Sequence, residues 1–135
     1  MNHSRLTLAA IAAVAAAGAW GIRALHAQQP GFTRVELQRH DLSAPGHEAV
    51  VARVEFAPGG AVGKHTHPGE ENGYVLDGVV QLEVDGKPPV TVKAGEVFFV
   101  PAGTIHAAKN VATGQSNVLA TYFVEKGKPL ATPVK

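Results

Sequence analysis

The sequence predicts an all-β domain, a sandwich or a barrel, behind an apolar leader. Three observations carry this expectation. Short β-rich runs recur along the chain, separated by Gly- and Pro-containing turns at intervals of roughly 8–12 residues. No stretch after residue 27 places apolar residues at helical spacing. The 135-residue length allows one domain, and the absence of cysteine leaves that domain to be held by its core alone.

The leader comes first. Asn2, His3, Ser4 and Arg5 form a polar, basic start, and Leu6 to Ile22 is an uncharged, alanine-dominated run of 17 residues. Arg23 ends the run, and Leu25-His26-Ala27 offers a small-residue cleavage site before Gln28. This is the order of a Sec-type signal peptide, so a periplasmic or secreted location is expected. The run is also at the short limit for a spanning helix, which leaves an uncleaved anchor as the alternative. Neither a twin arginine nor a lipid-accepting cysteine is present. Residues 1–27 are therefore read as signal segment, 28–34 as an extended start, 35–125 as the barrel and 126–135 as an extended or frayed tail with Pro129 and Pro133.

Without Arg5 and Arg23, ten basic residues face eleven acidic ones. That balance argues against nucleic acid as a partner and against stable membrane association after cleavage. The strands are expected in order at Thr33–Gln38, Ala49–Phe56, Val62–His67, Tyr74–Leu76, Val79–Val84, Val90–Lys93, Val97–Val100, Ile105–Lys109 and Val118–Val124. Pro58-Gly59-Gly60 and Pro68-Gly69 break the chain between them, and Asp85-Gly86 predicts a tight type I′ hairpin.

Five histidines remain after the leader, and three of them stand in two patterned stretches. The first stretch runs Gly59, His65, His67, Glu71, Gly78; the second runs Gly95, Pro101, Gly103, His106, Asn110. Residues two apart on a strand share a face, so His65 and His67 can reach one ion. The turn at Pro68-Gly69 lets Glu71 return to it, and His106 must be delivered by the fold. Three neutral imidazoles and a carboxylate suit a divalent transition metal such as Fe, Mn, Ni, Cu or Zn, with coordination positions left open. A His-x-His pair alone is a weak signal, and a lone strand histidine is more often a packed or surface residue. The combination with Glu71, His106 and the spaced glycines is far more specific.

The two stretches resemble both motifs of the cupin superfamily at every signature position. The first has the form G-x5-H-x-H-x3-E-x6-G and the second G-x5-P-x-G-x2-H-x3-N. The short gap of residues 79–94 between them is similar to that of small bacterial single-domain cupins. The resemblance covers roughly residues 35 to 124. It implies a single jelly-roll barrel with His65, His67, Glu71 and His106 as metal ligands, and structural roles for Gly59, Gly78, Gly95, Pro101, Gly103 and Asn110. It also implies a homodimer built through sheet edges.

The reaction is not implied by fold or ligand set, since the superfamily spans oxidative, isomerising, decarboxylating and non-catalytic members. A metal-dependent, dioxygenase-like oxidoreductase acting on a small organic molecule is the leading expectation, because no second acid/base pair is visible beside the ligands. In that reading Glu71 is also the catalytic base, as the resemblance to flavonol-cleaving cupins suggests. A non-enzymatic ligand- or metal-binding envelope module, or a metal-dependent isomerase or lyase, are the alternatives. Glu70 is read as a solvated neighbour of Glu71. Tyr74, Tyr122, Phe98 and Phe99 are read as packing residues, with one or two at the barrel mouth. Arg53 and Gln81 are read as outward polar residues, and His40 and His47 as exposed.

Overall fold

The computed structural model describes residues 29–135; the leader expected over residues 1–27 lies outside the described residues. Ten strands follow one another: β1 Phe32–Asp41, β2 His47–Phe56, β3 Ala61–Thr66, β4 Gly69–Asp77, β5 Val79–Val84, β6 Val90–Lys93, β7 Val97–Val100, β8 His106–Asn110, β9 Ser116–Glu125 and β10 Thr132–Pro133. They form two five-stranded sheets, ordered β1-β2-β9-β4-β7 and β10-β3-β8-β5-β6, with antiparallel pairing throughout. Apart from the in-sheet pairs β1-β2 and β5-β6, successive strands alternate between the sheets in the manner of a jelly roll, as the resemblance implied.

The inner faces follow from strict alternation. On β2, Val50, Ala52, Val54 and Phe56 point inward; on β9, Val118, Ala120, Tyr122 and Val124 do so. Their register, Val50 with Tyr122 and Ala52 with Ala120, sets these side chains in rows across the sheet. β-Branched valines suit this pleated, buried surface, and each contributes about 1.5–3 kcal/mol on full burial. Gly73, Ala120 and Ala52 make one row of minimal side chains across three strands. The Phe98 ring fills the space they leave, for a Cβ on Gly73 would stand 2.1 Å from that ring.

Four expectations are corrected. Gly69 does not turn the chain: it opens β4, and a Cβ there would lie 1.9 Å from the Phe123 carbonyl oxygen, so its role is close approach to β9. Asp85-Gly86 is not a type I′ turn. Only Gly86 has positive φ, because five residues, not two, connect β5 to β6. The N-terminal strand begins at Phe32, inside the segment read as an extended start. The tail, expected to be extended or frayed, is extended and not frayed: Thr132 and Pro133 pair with Thr66 and His65, and Val134 N donates to Lys64 O at 2.9 Å.

Candidate metal centre

The histidines come from one sheet and the glutamate from the other. His65 lies on β3 and is the register partner of His106 on β8, so their rings start side by side. His67 follows the end of β3, and its carbonyl accepts a hydrogen bond from Gly103 N at 3.1 Å. That bond ties the turn of the second stretch to the histidine of the first. Glu71 faces them from β4, between Val100 on β7 and Tyr122 on β9. All four side chains are buried, with exposures of 2–7%. Glu70 points the other way and is exposed.

The three imidazole rings cluster with centroids 4.2, 4.8 and 5.0 Å apart. One nitrogen from each lies within 4.8 Å of the others. The backbone decides which nitrogens these are. His65 Nδ1 lies 2.7 Å from Gly63 O, His67 Nδ1 2.5 Å from Leu130 O, and His106 Nδ1 2.9 Å from Thr104 O. A carbonyl can only accept, so each Nδ1 carries the proton and donates. In the neutral rings, every Nε2 is left with a bare lone pair.

Those lone pairs meet a further acceptor. Glu71 Oε2 lies 3.1 Å from both His67 Nε2 and His106 Nε2. The His67 contact lacks hydrogen-bond geometry, and His67 Nε2 is buried without a partner. Acceptors converging in a buried site repel one another unless a cation sits among them. The donor set therefore fits a divalent transition metal, which needs deprotonated imidazole and carboxylate ligands. Burial alone would raise the Glu71 pKa, but when a proton rather than a metal occupies the Nε2 of His106 or His67, its hydrogen bond and charge more than offset this and hold the carboxyl below its usual range. Burial depresses His65 to about 4. Both shifts favour the ligating forms near neutral pH.

The remaining candidates sort by face. Tyr122 is fully buried, with its ring 4.7 Å from that of His67. Burial, and after it the Glu71 charge, push its phenol pKa upward, so it stays a neutral neighbour of the centre. Phe98 lines the interior cavity, while Tyr74 and Phe99 lie on the outer face, 43% and 59% exposed. Phe98 and Phe99 are adjacent on a strand, so they cannot both face in. Arg53 is outward and paired with Glu55 at 2.6 Å, and His40 and His47 are exposed. Gln81 is half-buried and does not line the cavity.

Asn110 lies outside the cluster and supports it. Its Nδ2 donates to the carbonyls of Ala57 (3.0 Å) and Gly114 (2.7 Å), with Phe56 O at 3.2 Å. Its Oδ1 accepts from Ala112 N and Ser116 Oγ, both at 2.8 Å. This knot closes the loops at the β2 and β8 ends.

Arg34 is the inward residue that sequence reasoning missed. The alternation in β1 would turn Val35 and Leu37 to the core, yet these are 36% and 50% exposed. Arg34 instead pairs with inward Val54 and lines the interior cavity beside Glu71 and Tyr122. The only sequence signal for it was its phase relative to Val54, and that phase requires the β1–β2 register.

A double-sheet jelly roll with a buried His3–carboxylate cluster defines a barrel of the cupin type whose interior could hold a metal ion. Residues 52–128 match the cupin-domain family, and the chain belongs to it. Among known proteins, the chain is 38% identical over 77 residues to germin-like protein 1-1 of Oryza sativa subsp. japonica, a match covering 53% of this chain and 36% of that protein. It is 39% identical over 74 residues to the oxalate-binding protein of Thermotoga maritima, covering 54% of this chain and 60% of that one. Among solved structures, oxalate oxidase in complex with the substrate analogue glycolate superposes with a TM-score of 0.62 at 28% identity, over 76% of this chain and 54% of that one. The matched region is thus only about a third of the germin-like protein.

Proposed function

We propose that the chain is a metal-dependent oxidoreductase acting on a small organic molecule, with His65, His67, His106 and Glu71 as the metal ligands. The observation that carries this reading is the convergence of three Nε2 lone pairs and one Glu71 oxygen, each imidazole locked through Nδ1 to a backbone carbonyl. A redox-active divalent ion held there would supply Lewis acidity and electron transfer to dioxygen. The likeness to oxalate oxidase supports the oxidative direction.

The chain's own residues have separate tasks. The three histidines orient and hold. Glu71, kept ionised, can both ligate and take a proton from substrate, which makes it the candidate base. Tyr122 is paired with Glu71 in register and walls it on one side. Valines 54, 62, 80 and 118 line the interior beside the centre and exclude bulk water.

Elemental analysis and oxygen uptake test this reading together. Protein carrying near-stoichiometric iron, manganese, nickel or copper, lost in a His65→Ala, His106→Ala double variant, is the expected result. Oxygen consumption with small organic acids or phenols should follow the metal. Absence of metal from both proteins would overturn the reading.

A second reading is a binding protein without turnover, and the likeness to an oxalate-binding protein favours it. Metal and ligand bound with no oxygen consumed and no product formed would select it. Export by residues 1–27 completes the proposal: mass spectrometry of protein from the native envelope should show a chain beginning near Gln28. An intact start at Met1 would point to an anchor.

A further inference from the structure

Arg34 has no task in the reading above, and its setting is unusual for an arginine. Its guanidinium carbon lies 5.3 Å over the Phe32 ring and 5.5 Å over the Tyr122 ring. Its Nε is buried without a hydrogen-bond partner. Among the described residues, no carboxylate lies within ion-pair distance of it, whereas Arg39 pairs with Glu36 and Glu48, and Arg53 with Glu55. Aromatic faces hold the planar group, the Tyr122 hydroxyl takes one hydrogen bond from it, and the buried Nε is left over; a guanidinium held this way suits capture of a carboxylate. A buried donor without a partner is costly, so an anion that completes it gains affinity.

Two cavities meet at this residue. The interior one, beside Glu71 and His106, is about 30 Å³, room for roughly one water. Arg34 and His65 also line a chamber of about 480 Å³ at the barrel mouth. Its other walls include Phe32, Val62, Pro129, Leu130 and Pro133, and no acidic residue lines it. Lys64 reaches the same chamber but is paired with Asp85 at 2.6 Å, so Arg34 is its uncommitted cation. With a divalent ion, three neutral imidazoles and Glu71, the centre carries one excess positive charge, and Arg34 adds a second. A two-carbon acid would satisfy that charge but leave most of the apolar wall to water.

We infer that Arg34 recognises the carboxylate of an organic acid whose apolar body, larger than that of oxalate, fills the chamber at the barrel mouth. The inference deepens the proposed function and rests on it for the metal, though not for the arginine.

Calorimetric titration of the full chain with benzoate, benzamide and oxalate tests it, with metal content measured on each sample. Benzoate should bind at least about tenfold more tightly than either benzamide, which lacks the charge, or oxalate, which lacks the apolar body. Arg34→Gln should remove that advantage over benzamide without changing metal content, and Arg34→Lys should restore part of it. Unchanged benzoate affinity in Arg34→Gln would overturn the role of Arg34. Oxalate binding more tightly than benzoate, or no benzoate binding at millimolar concentration, would overturn the chamber. If Arg34→Gln fails to fold, the Lys variant and the benzoate-to-benzamide ratio of the wild type decide. A metal-free wild type that still prefers benzoate through Arg34 would sink the metalloenzyme reading and support this one.

Discussion

His65 shows how a side chain is prepared for ligation before any ion arrives. Gly63 O fixes its proton on Nδ1, and burial depresses its pKa to about 4. The stability consequence has a definite sign. Between pH 6.5 and about 4 the unfolded chain binds a proton at this residue that the folded chain refuses, so the contribution is present above 6.5 and lost as pH falls toward 4. Chemical denaturation of chelator-treated protein should show a decline across that window, smaller in His65→Gln. A flat profile would contradict the burial of a neutral imidazole. Asn110 is the second residue with a sharp expectation. Removing its five short contacts in Asn110→Ala strands buried carbonyls and a hydroxyl, and should cost on the order of 2–4 kcal/mol by denaturant titration with metal stoichiometry retained. Gly78 belongs with them: its φ is +77° and a Cβ would stand 2.2 Å from Ser116 Oγ, so Gly78→Ala is strained twice over.

Strands rather than loops carry most of the centre, and one short element does more than its length suggests. β10 adds to β3 beside His65, and two residues before it Leu130 offers its carbonyl to His67 Nδ1 at 2.5 Å. The C-terminal strap thereby holds one imidazole in its ligating tautomer and also walls the mouth chamber. Deleting residues 129–135 should lower metal affinity about 10–100-fold, the usual cost of losing an outer-shell partner, while the far-UV spectrum stays β-type. Unchanged affinity, measured by competition with a chelator, would show that the strap is a cover only. The two register shifts beside the site, between Glu36 and Gln38 on β1 and between Val62 and His65 on β3, mark where the sheets bend around it.

Across the whole barrel, the outer face of the sheet β1-β2-β9-β4-β7 carries exposed apolar side chains among its polar ones. Val35, Tyr74, Val97, Phe99 and Phe123 are 36–65% exposed on its outer side, and register sets Tyr74 beside Val97. We propose that a second copy of the chain covers these side chains. Light scattering should give twice the monomer mass, and Val97→Glu with Phe99→Glu should halve it without loss of metal. A wild-type monomer would reject this. The local pattern already carried much of the molecule: most strands and the four side chains that converge were legible, because strand alternation and spaced glycines are properties of neighbouring residues, whereas the turns expected at Pro68-Gly69 and Asp85-Gly86 were not of the kind read. His65, His67 and His106 could be named, but their lock on Nδ1 could not, since Gly63, Leu130 and Thr104 supply it through backbone carbonyls that any residue possesses. The inward turn of Arg34 and the pairing of the tail were hidden for a related reason. Each depends on which strand lies alongside, and that is settled by contacts between residues far apart in the chain.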